Sequence, residues 1–253
     1  NYINKRSKDQ EGGFYSSKKR YKVMSKVLII ILSLSFFSFI QSEVDPFQNL
    51  NEKTHNLNQS LDKSIATPIA KVYRKVTPDF LEVGVTNFTD NIEDINIALN
   101  NLLQAKIKDG LSDILRFTIN STIGLLGFFD VASSMGFQKH SEDFGQTLAV
   151  WGVSDGPYIV LPILGPSSLR DTLARIPEAF MTPLLLIDHD RTGYELTAID
   201  LLDKRARYLG LESIVVGDEY LFYRDAYFQS REFDINDGVI EDDFDDFDFD
   251  FVD

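Results

Sequence analysis

The sequence predicts a mostly α-helical protein that lies in a membrane, and two observations lead to this prediction. Apolar residues recur at spacings of three and four along much of the chain, which is the periodicity of amphipathic helices. The segments that connect these stretches are apolar as well, whereas loops of water-soluble proteins are normally polar. Irregular apolar backbone is tolerated at membrane depth where it is buried in protein or lines a cavity. We therefore expect a protein embedded in a membrane, with a passage through it.

Composition narrows the classes of partner and chemistry. The chain has 253 residues, 43% of them hydrophobic, which suits one globular domain with additional segments at its ends. Its net charge is −14. An acidic body repels phosphate backbones, so no nucleic acid partner is expected. The absence of cysteine excludes disulfides, thiolate zinc sites, cysteine nucleophiles and lipid attachment through sulfur.

The two ends differ from the body. Residues 24–42 combine a lysine, the apolar run 27–40 and small or polar residues, which is the order of a secretory signal peptide. Residues 1–23 are polar and unpatterned, and we interpret them as a disordered upstream extension. The mature domain would then cover residues 43–238. Residues 239–253 are highly acidic and of low complexity, which predicts a disordered tail.

Helices are predicted in order along the body. Thr67-Pro68 and Thr77-Pro78 each place a capping residue before proline, which is typical of a helix start, and a short apolar stripe from Ile69 to Val76 follows the first. A long apolar face runs from residue 91 to 121, with Gly110 as the predicted break.

Three further helices are predicted towards the end of the chain. Ser167 or Ser168 can cap a helix that Pro177 would interrupt. A helix over residues 196–209 would end at Gly210. Helical spacing relates Tyr220, Tyr223, Tyr227 and Phe228 near the end of the body. Taken alone, each apolar stripe favours an ordinary buried core face.

The segment "GVSDGPYIVLPILGPSSLRD", residues 152–171, is apolar but interrupted by glycine and proline. Glycine permits sharp bends and proline holds them, so the segment cannot form a continuous helix.

Five motifs in register resemble one family. They are "DPFQNLNEKTHNLNQSLD", "VTNFTDNIED", "RFTINSTIGLLGFFDVAS", "EDFGQTLAVWGVSDGPYIVLPILGPSSLRD" and "EYLFYRDAYFQSREF". Together they span Asp45 to about Phe233 and resemble the MlaA, or VacJ, family of outer-membrane lipid-asymmetry proteins.

The resemblance implies a fold and a function. The fold would be a ring-like arrangement of amphipathic helices with a central lipid channel, inserted in the inner leaflet of the outer membrane. The function would be non-enzymatic and need no cofactor: removal of mislocalised phospholipid from the outer leaflet, beside a porin trimer, and transfer to a soluble periplasmic carrier.

The resemblance also implies site residues. Residues of the segment 152–171 would form a bent apolar channel wall and hinge, namely Gly152, Gly156, Pro157, Tyr158, Pro162, Gly165, Pro166, Arg170 and Asp171. Asn56, Leu57 and Asn58 fall where the family tends to have Asn-Phe-Asn near the channel; leucine keeps the bulk but lacks the ring.

One departure concerns anchoring. Family members usually carry a lipobox cysteine ahead of the mature "DP", but here the sequence reads "FIQSEVDPF". We therefore expect a protein that is not lipidated and is held on the periplasmic side of the outer membrane by its amphipathic ring and a porin.

Two alternatives remain. "GVSDG" fits the G-x-S-x-G pattern of a lipid hydrolase, with Ser154 as nucleophile, His140 or His189 as base, and Asp188 or Asp190 to orient it. The required strand–serine–helix order is not predicted, because Pro157 and a β-favouring run follow. "DHD" at 188–190 is a poor metal motif, since adjacent side chains point apart. The other alternative is a porin-associated structural protein that moves no lipid.

Overall fold

The computed structural model describes residues 45–181 and 190–239. The predicted signal peptide, upstream extension and acidic tail beyond Val239 lie outside the described residues. The helices are α1 Gln48–Leu61, α2 Thr67–Val76, α3 Asp79–Leu103, α4 Ile107–Thr122, α5 Val131–Ser134, α6 Phe144–Val150, α7 Leu169–Met181, α8 Asp190–Arg207 and α9 Glu219–Ile235, with a π-helical turn at Asp62–Ala66 and a 3₁₀ turn at Leu211–Ile214. Strands β1, Tyr158–Leu161, and β2, Gly165–Ser168, form one antiparallel hairpin. Within these ranges, no helix is both apolar enough and long enough to cross a membrane.

Helices α1 and α2 are joined through the π-helical turn without a break. An α-helix does begin at Thr67-Pro68, as predicted, but it continues from the π-helical turn, because Ala66 before it is already helical. Arg205 holds the junction: its Nε and Nη2 lie 2.6 and 2.9 Å from the two carboxylate oxygens of Asp62, and Nη2 also donates to Thr67 Oγ1. This fork fixes the turn to the end of α8.

Helices α3 and α4 are separated by a tight turn at residues 104–106, where Ala105 has a φ of +64°. The predicted break at Gly110 is wrong, because Gly110 lies inside α4. A Cβ there would come within 2.8 Å of Leu102 Cγ and 3.0 Å of the Ala98 carbonyl. The glycine thus serves the close approach of the two helices, rather than a change of chain direction.

The distribution of polar and apolar side chains is inverted relative to a water-soluble domain. Large apolar residues are exposed along α2 and α4, among them Ile69, Val72, Val76, Ile107, Leu111, Ile114 and Leu115. Charged and amide side chains are fully or almost fully buried, including Asp94, Asn100, Asn101, Asp113, Arg116 and Asp203. The interpretation of the α2 and α4 stripes as buried core faces is therefore wrong. Their apolar faces point outward.

The buried apolar core is small and split. Phe144 and Leu148 of α6 pack with Ala174 of α7, and a second cluster joins Tyr158 and Val160 of β1 to Tyr220 of α9. Both clusters border the hairpin. The first includes Ala174 of α7, which follows β2 directly, and the second includes two residues of β1.

The predicted start of α7 and end of α8 are confirmed, but the predicted interruption of α7 by Pro177 is wrong. Ser168 caps α7, since its Oγ accepts from the Asp171 amide at 3.1 Å, as predicted. Gly210, with a φ of +96°, follows the end of α8, also as predicted. Pro177 does not interrupt α7, which continues to Met181.

Candidate functional site

The apolar segment 152–171 folds into the β1–β2 hairpin and its flanks. Tyr158 pairs with Ser168 and Leu161 with Gly165, so residues 162–164 form the tip. Ile163 at the tip is 76% exposed and has a φ of +68°. A β-branched residue in the left-handed region is strained by about 1–2 kcal/mol. The tip therefore holds an exposed apolar side chain in a conformation that the surrounding structure must enforce.

Helix α1 supplies that enforcement through two asparagines. Asn51 Nδ2 donates to the Tyr158 carbonyl at 3.0 Å, and its Oδ1 accepts from the Val160 amide at 2.9 Å. Asn58 forms the same pair of bonds further along: its Nδ2 donates to the Leu161 carbonyl at 2.8 Å, and its Oδ1 accepts from the Ile163 amide at 2.7 Å. A spacing of seven places both side chains on one helix face. The two amides thus act as a substitute strand along the free edge of β1.

An aromatic cluster from α9 covers the start of the hairpin. The buried ring of Tyr158 lies 6.1 Å from Tyr220, 6.0 Å from Tyr227 and 5.7 Å from Phe228, centroid to centroid. The Tyr220 hydroxyl donates to Asp45, whose other carboxylate oxygen accepts from Asn51 Nδ2 at 2.8 Å. Helices α1 and α9 therefore hold the hairpin between them.

A buried charge network fixes the base of the hairpin. Arg170 Nε lies 2.8 Å from Asp171 Oδ1, and its Nη2 lies 2.6 Å from Asp155. Asp171 Oδ2 accepts from the Tyr227 hydroxyl at 2.6 Å and pairs with Arg231 Nε at 2.6 Å.

Arg231 extends this network to the start of α6. It forms a fork with both oxygens of Asp143 at 2.5 and 2.6 Å. Hydrogen bonding and charge from Arg231 lower the pKa of Asp143, outweighing the opposing effect of its burial. The same network leaves no room for a side chain at Gly145, where a Cβ would overlap the Arg231 guanidinium and the Asp171 carboxylate.

The structure places the predicted site residues in three groups. Asn58, Tyr158, Pro166, Arg170 and Asp171 contact or form the hairpin and its base. Gly152, Gly156 and Gly165 have φ values of +87°, +67° and +82°, as expected for bends that favour glycine. The third group is more exposed: Pro157 is half-buried, and Asn56, Pro162 and Leu57, the last at 51%, are exposed. Their roles beside a lipid path stay predictions.

The hydrolase arrangement is not assembled around Ser154. Ser154 lies between the end of α6 and the start of β1, so a helix precedes it and a strand follows, the reverse of a nucleophile elbow. The ring of His140 is engaged elsewhere, with Nδ1 at 2.7 Å from Asp113 Oδ1. Asp188 and His189 lie outside the described residues, as does the side chain of Asp190. Within the described ranges, no three His, Asp or Glu side chains could hold a metal ion together.

A polar interior between α3 and α4 was not predicted. Arg116, 2% exposed, donates through Nη1 to Ser133 Oγ and the Phe137 carbonyl, and through Nη2 to Asp130. Burial would raise the pKa of Asp130, but hydrogen bonds from Ser133 and Asn120, together with the charge of Arg116, lower it to about 2. Burial raises the pKa of Asp94 to about 7, against the opposing charge of Arg116 at 3.7 Å.

Several oxygens of this interior have no donor within the part of the chain that the structure describes. Buried oxygens of Asn91, Asp94 and Asn101 on α3, of Gln104 in the turn that follows it, and of Gln146 on α6, are in this state. The α3 members recur at spacings of three and seven, which places them on one side of the helix. Buried polar atoms are nearly always paired with protein or water, so such a row is suited to water or a polar group of a ligand. The signal was available in the sequence as the amides interleaved with the apolar stripe of 91–121.

The features described so far define a class of protein. It is mostly α-helical over the described residues, with apolar residues outside, polar residues inside, and a strained apolar hairpin held between α1 and α9. A family model described as "MlaA lipoprotein" matches residues 43–234. The chain belongs to the MlaA lipoprotein family.

Individual relatives agree with this assignment. An uncharacterized protein of Rickettsia typhi is 35% identical over 192 residues, covering 74% of this chain and 76% of that one. The intermembrane phospholipid transport system lipoprotein MlaA of Escherichia coli K12 is 30% identical over 207 residues, covering 79% and 82%. A solved structure, described as a structural basis for maintenance of bacterial outer membrane lipid asymmetry, matches with a TM-score of 0.70 and 28% identity, covering 77% of this chain and 100% of that one. The match confirms the predicted fold class, a mostly α-helical ring-like arrangement of amphipathic helices.

Proposed function

We propose that this protein is a phospholipid transport component of the bacterial outer membrane. It removes mislocalised phospholipid from the outer leaflet and passes it to a soluble periplasmic carrier, and it works beside a porin trimer. The E. coli relative is a phospholipid transport lipoprotein, which supports the first statement. The direction of transfer, the carrier and the porin come from the family resemblance. The chain would lie in the inner leaflet, facing the periplasm, without a lipid anchor, because it has no cysteine.

The inverted distribution of side chains is the observation that carries the proposal. Apolar side chains on the outside of α2 and α4 would be costly in water, since each exposed Val, Leu or Ile forgoes about 1.5–3 kcal/mol of burial. In the hydrocarbon of one leaflet the same side chains are at no disadvantage. Outward apolar helix faces of this kind therefore favour a protein whose α2 and α4 contact the hydrocarbon of a leaflet.

The interior offers the second support, because a phospholipid needs both a polar and an apolar surface along its path. The row of unpaired oxygens on α3 and α6 suits headgroup atoms or their water. The apolar hairpin suits acyl chains, with Ile163 and Leu164 exposed at its tip. Passage between leaflets then requires no bond to break, and the hairpin would act as wall and hinge.

The experiment is mass spectrometry of the lipids that copurify with the chain in mild detergent. A Gly152→Val/Gly156→Val variant forces side chains into left-handed backbone at two positions just before β1, and at Gly156 the new Cβ would meet Leu169 Cβ at 3.2 Å. The matched control is Gly210→Val/Gly217→Val, because both glycines have positive φ and open space around them, away from the hairpin. We expect intact diacyl phospholipid with the wild type and the control, and its depletion in the hairpin variant.

The other outcomes separate the alternatives. Lysophospholipid and free fatty acid instead of diacyl lipid would indicate hydrolysis at Ser154, and Ser154→Ala would abolish them. If the proposal holds, Ser154→Ala leaves bound lipid unchanged. Absence of lipid from every variant would leave a porin-associated scaffold and contradict transport.

A further inference from the structure

The turn after α4 has an unusual backbone. Leu125 and Leu126 have φ values of +54° and +61°, and Gly127 follows at +92°. Two consecutive leucines in the left-handed region are rare, because the Cβ of an L-residue crowds the following carbonyl there. We call residues 123–129 the left-handed turn.

The turn presents apolar side chains outward. Ile123, Leu125, Leu126 and Phe129 are 64%, 66%, 69% and 52% exposed, respectively. Residues 117–129 include no charged side chain. The exposed surface of the turn is therefore apolar and uncharged.

Beneath this surface the turn is fixed by close packing of its glycines. Gly124 and Gly127 are buried, and a Cβ at Gly127 would lie 2.5 Å from the Cβ of Asn91. The ring of Phe128 occupies the space where a side chain of Gly84 on α3 would stand. Asn87 Nδ2 donates to the Phe128 carbonyl at 3.2 Å. The turn is thus built to hold its leucines outward despite the strain.

Most backbone amides of the turn donate to carbonyls of the chain itself. The amides of residues 123, 124, 126, 127, 128 and 129 donate to main-chain carbonyls at 2.8–3.3 Å, for example Gly127 N to Asn120 O at 2.8 Å. Irregular backbone in a bilayer must form its hydrogen bonds within the protein, because hydrocarbon offers no hydrogen-bond partners. A protein partner would instead be expected to form about one hydrogen bond per 100–200 Å² of interface, and this surface offers few groups for it.

From these observations we infer that the left-handed turn inserts among the acyl chains of the bilayer and serves as a local anchor. The inference rests on the proposed location of the protein in one leaflet. It adds an element to the helix faces that contact hydrocarbon: the turn at the carboxyl end of α4. The amino end of α4 carries Lys108, which is exposed and lies about 25 Å away along a helix of 16 residues.

Depth-dependent quenching tests this inference. The chain has no cysteine, so Leu126→Cys gives a single labelling site for an environment-sensitive fluorophore. The full chain is bound to protein-free phosphatidylethanolamine/phosphatidylglycerol vesicles with nitroxides at known acyl-chain depths. We expect a blue-shifted emission that acyl-chain nitroxides quench several times more strongly than headgroup nitroxides. Lys108→Cys is the matched control at the other end of the same helix, and should show water-like emission.

A second variant separates anchoring from folding. Leu125→Asn/Leu126→Asn relieves the backbone, because asparagine tolerates the left-handed region. We expect its melting temperature in detergent to equal or exceed that of the wild type, while vesicle partitioning falls at least about tenfold. Emission at position 126 that headgroup nitroxides quench best, or unchanged partitioning of the double variant, overturns the inference. Lipid that copurifies in the earlier experiment despite such a result would leave the transport proposal intact.

Discussion

Replacement of Asn51 by leucine tests the idea that side-chain amides of α1 complete the hairpin. Leucine keeps the size of asparagine but removes both hydrogen bonds to β1, at 3.0 Å to Tyr158 O and 2.9 Å from Val160 N. Tyr158 and Val160 are 1% and 5% exposed, so water cannot readily replace the amide. Each buried group left unpaired costs about 1–3 kcal/mol, so the free energy of unfolding should fall by about 2–6 kcal/mol.

Two measurements check this prediction. For a domain of this size each kcal/mol lowers the melting temperature by about 2–4 °C, so a decrease of roughly 5–20 °C is expected in detergent. Hydrogen exchange should also become faster in peptides that contain residues 158–161. Asn56→Leu on the same helix is the control, because Asn56 is exposed, and it should change stability by less than about 0.5 kcal/mol. An Asn51→Leu protein that melts with the wild type, or melts lower without faster exchange in β1, would refute the reasoning.

Two further predictions concern the buried charges. The pKa of Asp94 is raised by burial from 3.8 to about 7, so its contribution to stability is fully present below pH 3.8 and is lost as the pH rises through 7. Asp94→Asn should therefore melt with the wild type at pH 4 and above it at pH 8; equal melting at both values contradicts this. Gly145→Ala should cost about 1–3 kcal/mol by urea unfolding, because its Cβ overlaps Arg231. A Gly145→Ala protein that unfolds at the same urea concentration as the wild type would contradict the packing argument.

The sequence was sufficient to predict the helices, but not which way their faces point. Periodicity divides a helix such as α4 into an apolar and a polar side, and in water the apolar side would be buried. Here Leu111 and Leu115 point outward and Asp113 and Arg116 inward. The surrounding medium decides between these orientations. The apolar connectors are the local signal for a membrane, but helical periodicity by itself does not carry that signal.

Glycine and proline were recognised as breaks, but their roles depend on distant partners. Gly110 permits α3 and α4 to approach, and Pro177 lies inside α7, so neither ends a helix. The hairpin was expected only as bent apolar chain, because its β1 edge is completed by Asn51. That residue lies more than a hundred positions earlier, beyond the reach of any local pattern. Ser168 and Gly210 were placed correctly, since a cap and a left-handed terminus depend on immediate neighbours.

The pairing of Asn51 and Asn58 of α1 with the hairpin has a consequence for the order in which the protein folds. Its four hydrogen bonds join residues 103 to 109 positions apart, and the Tyr220 bond to Asp45 spans 175. The α3–α4 pair is held by much shorter links, such as Asn101 Nδ2 to Asp113 Oδ2, twelve positions apart. Long loops must close before such distant contacts form, so they form slowly and late. The helical pair can therefore be complete before α9 has left the ribosome, while the hairpin gains its edge only when α1 and α9 meet. The last region to be secured during folding is then the first to be released by partial unfolding, without disturbing the helices that surround it.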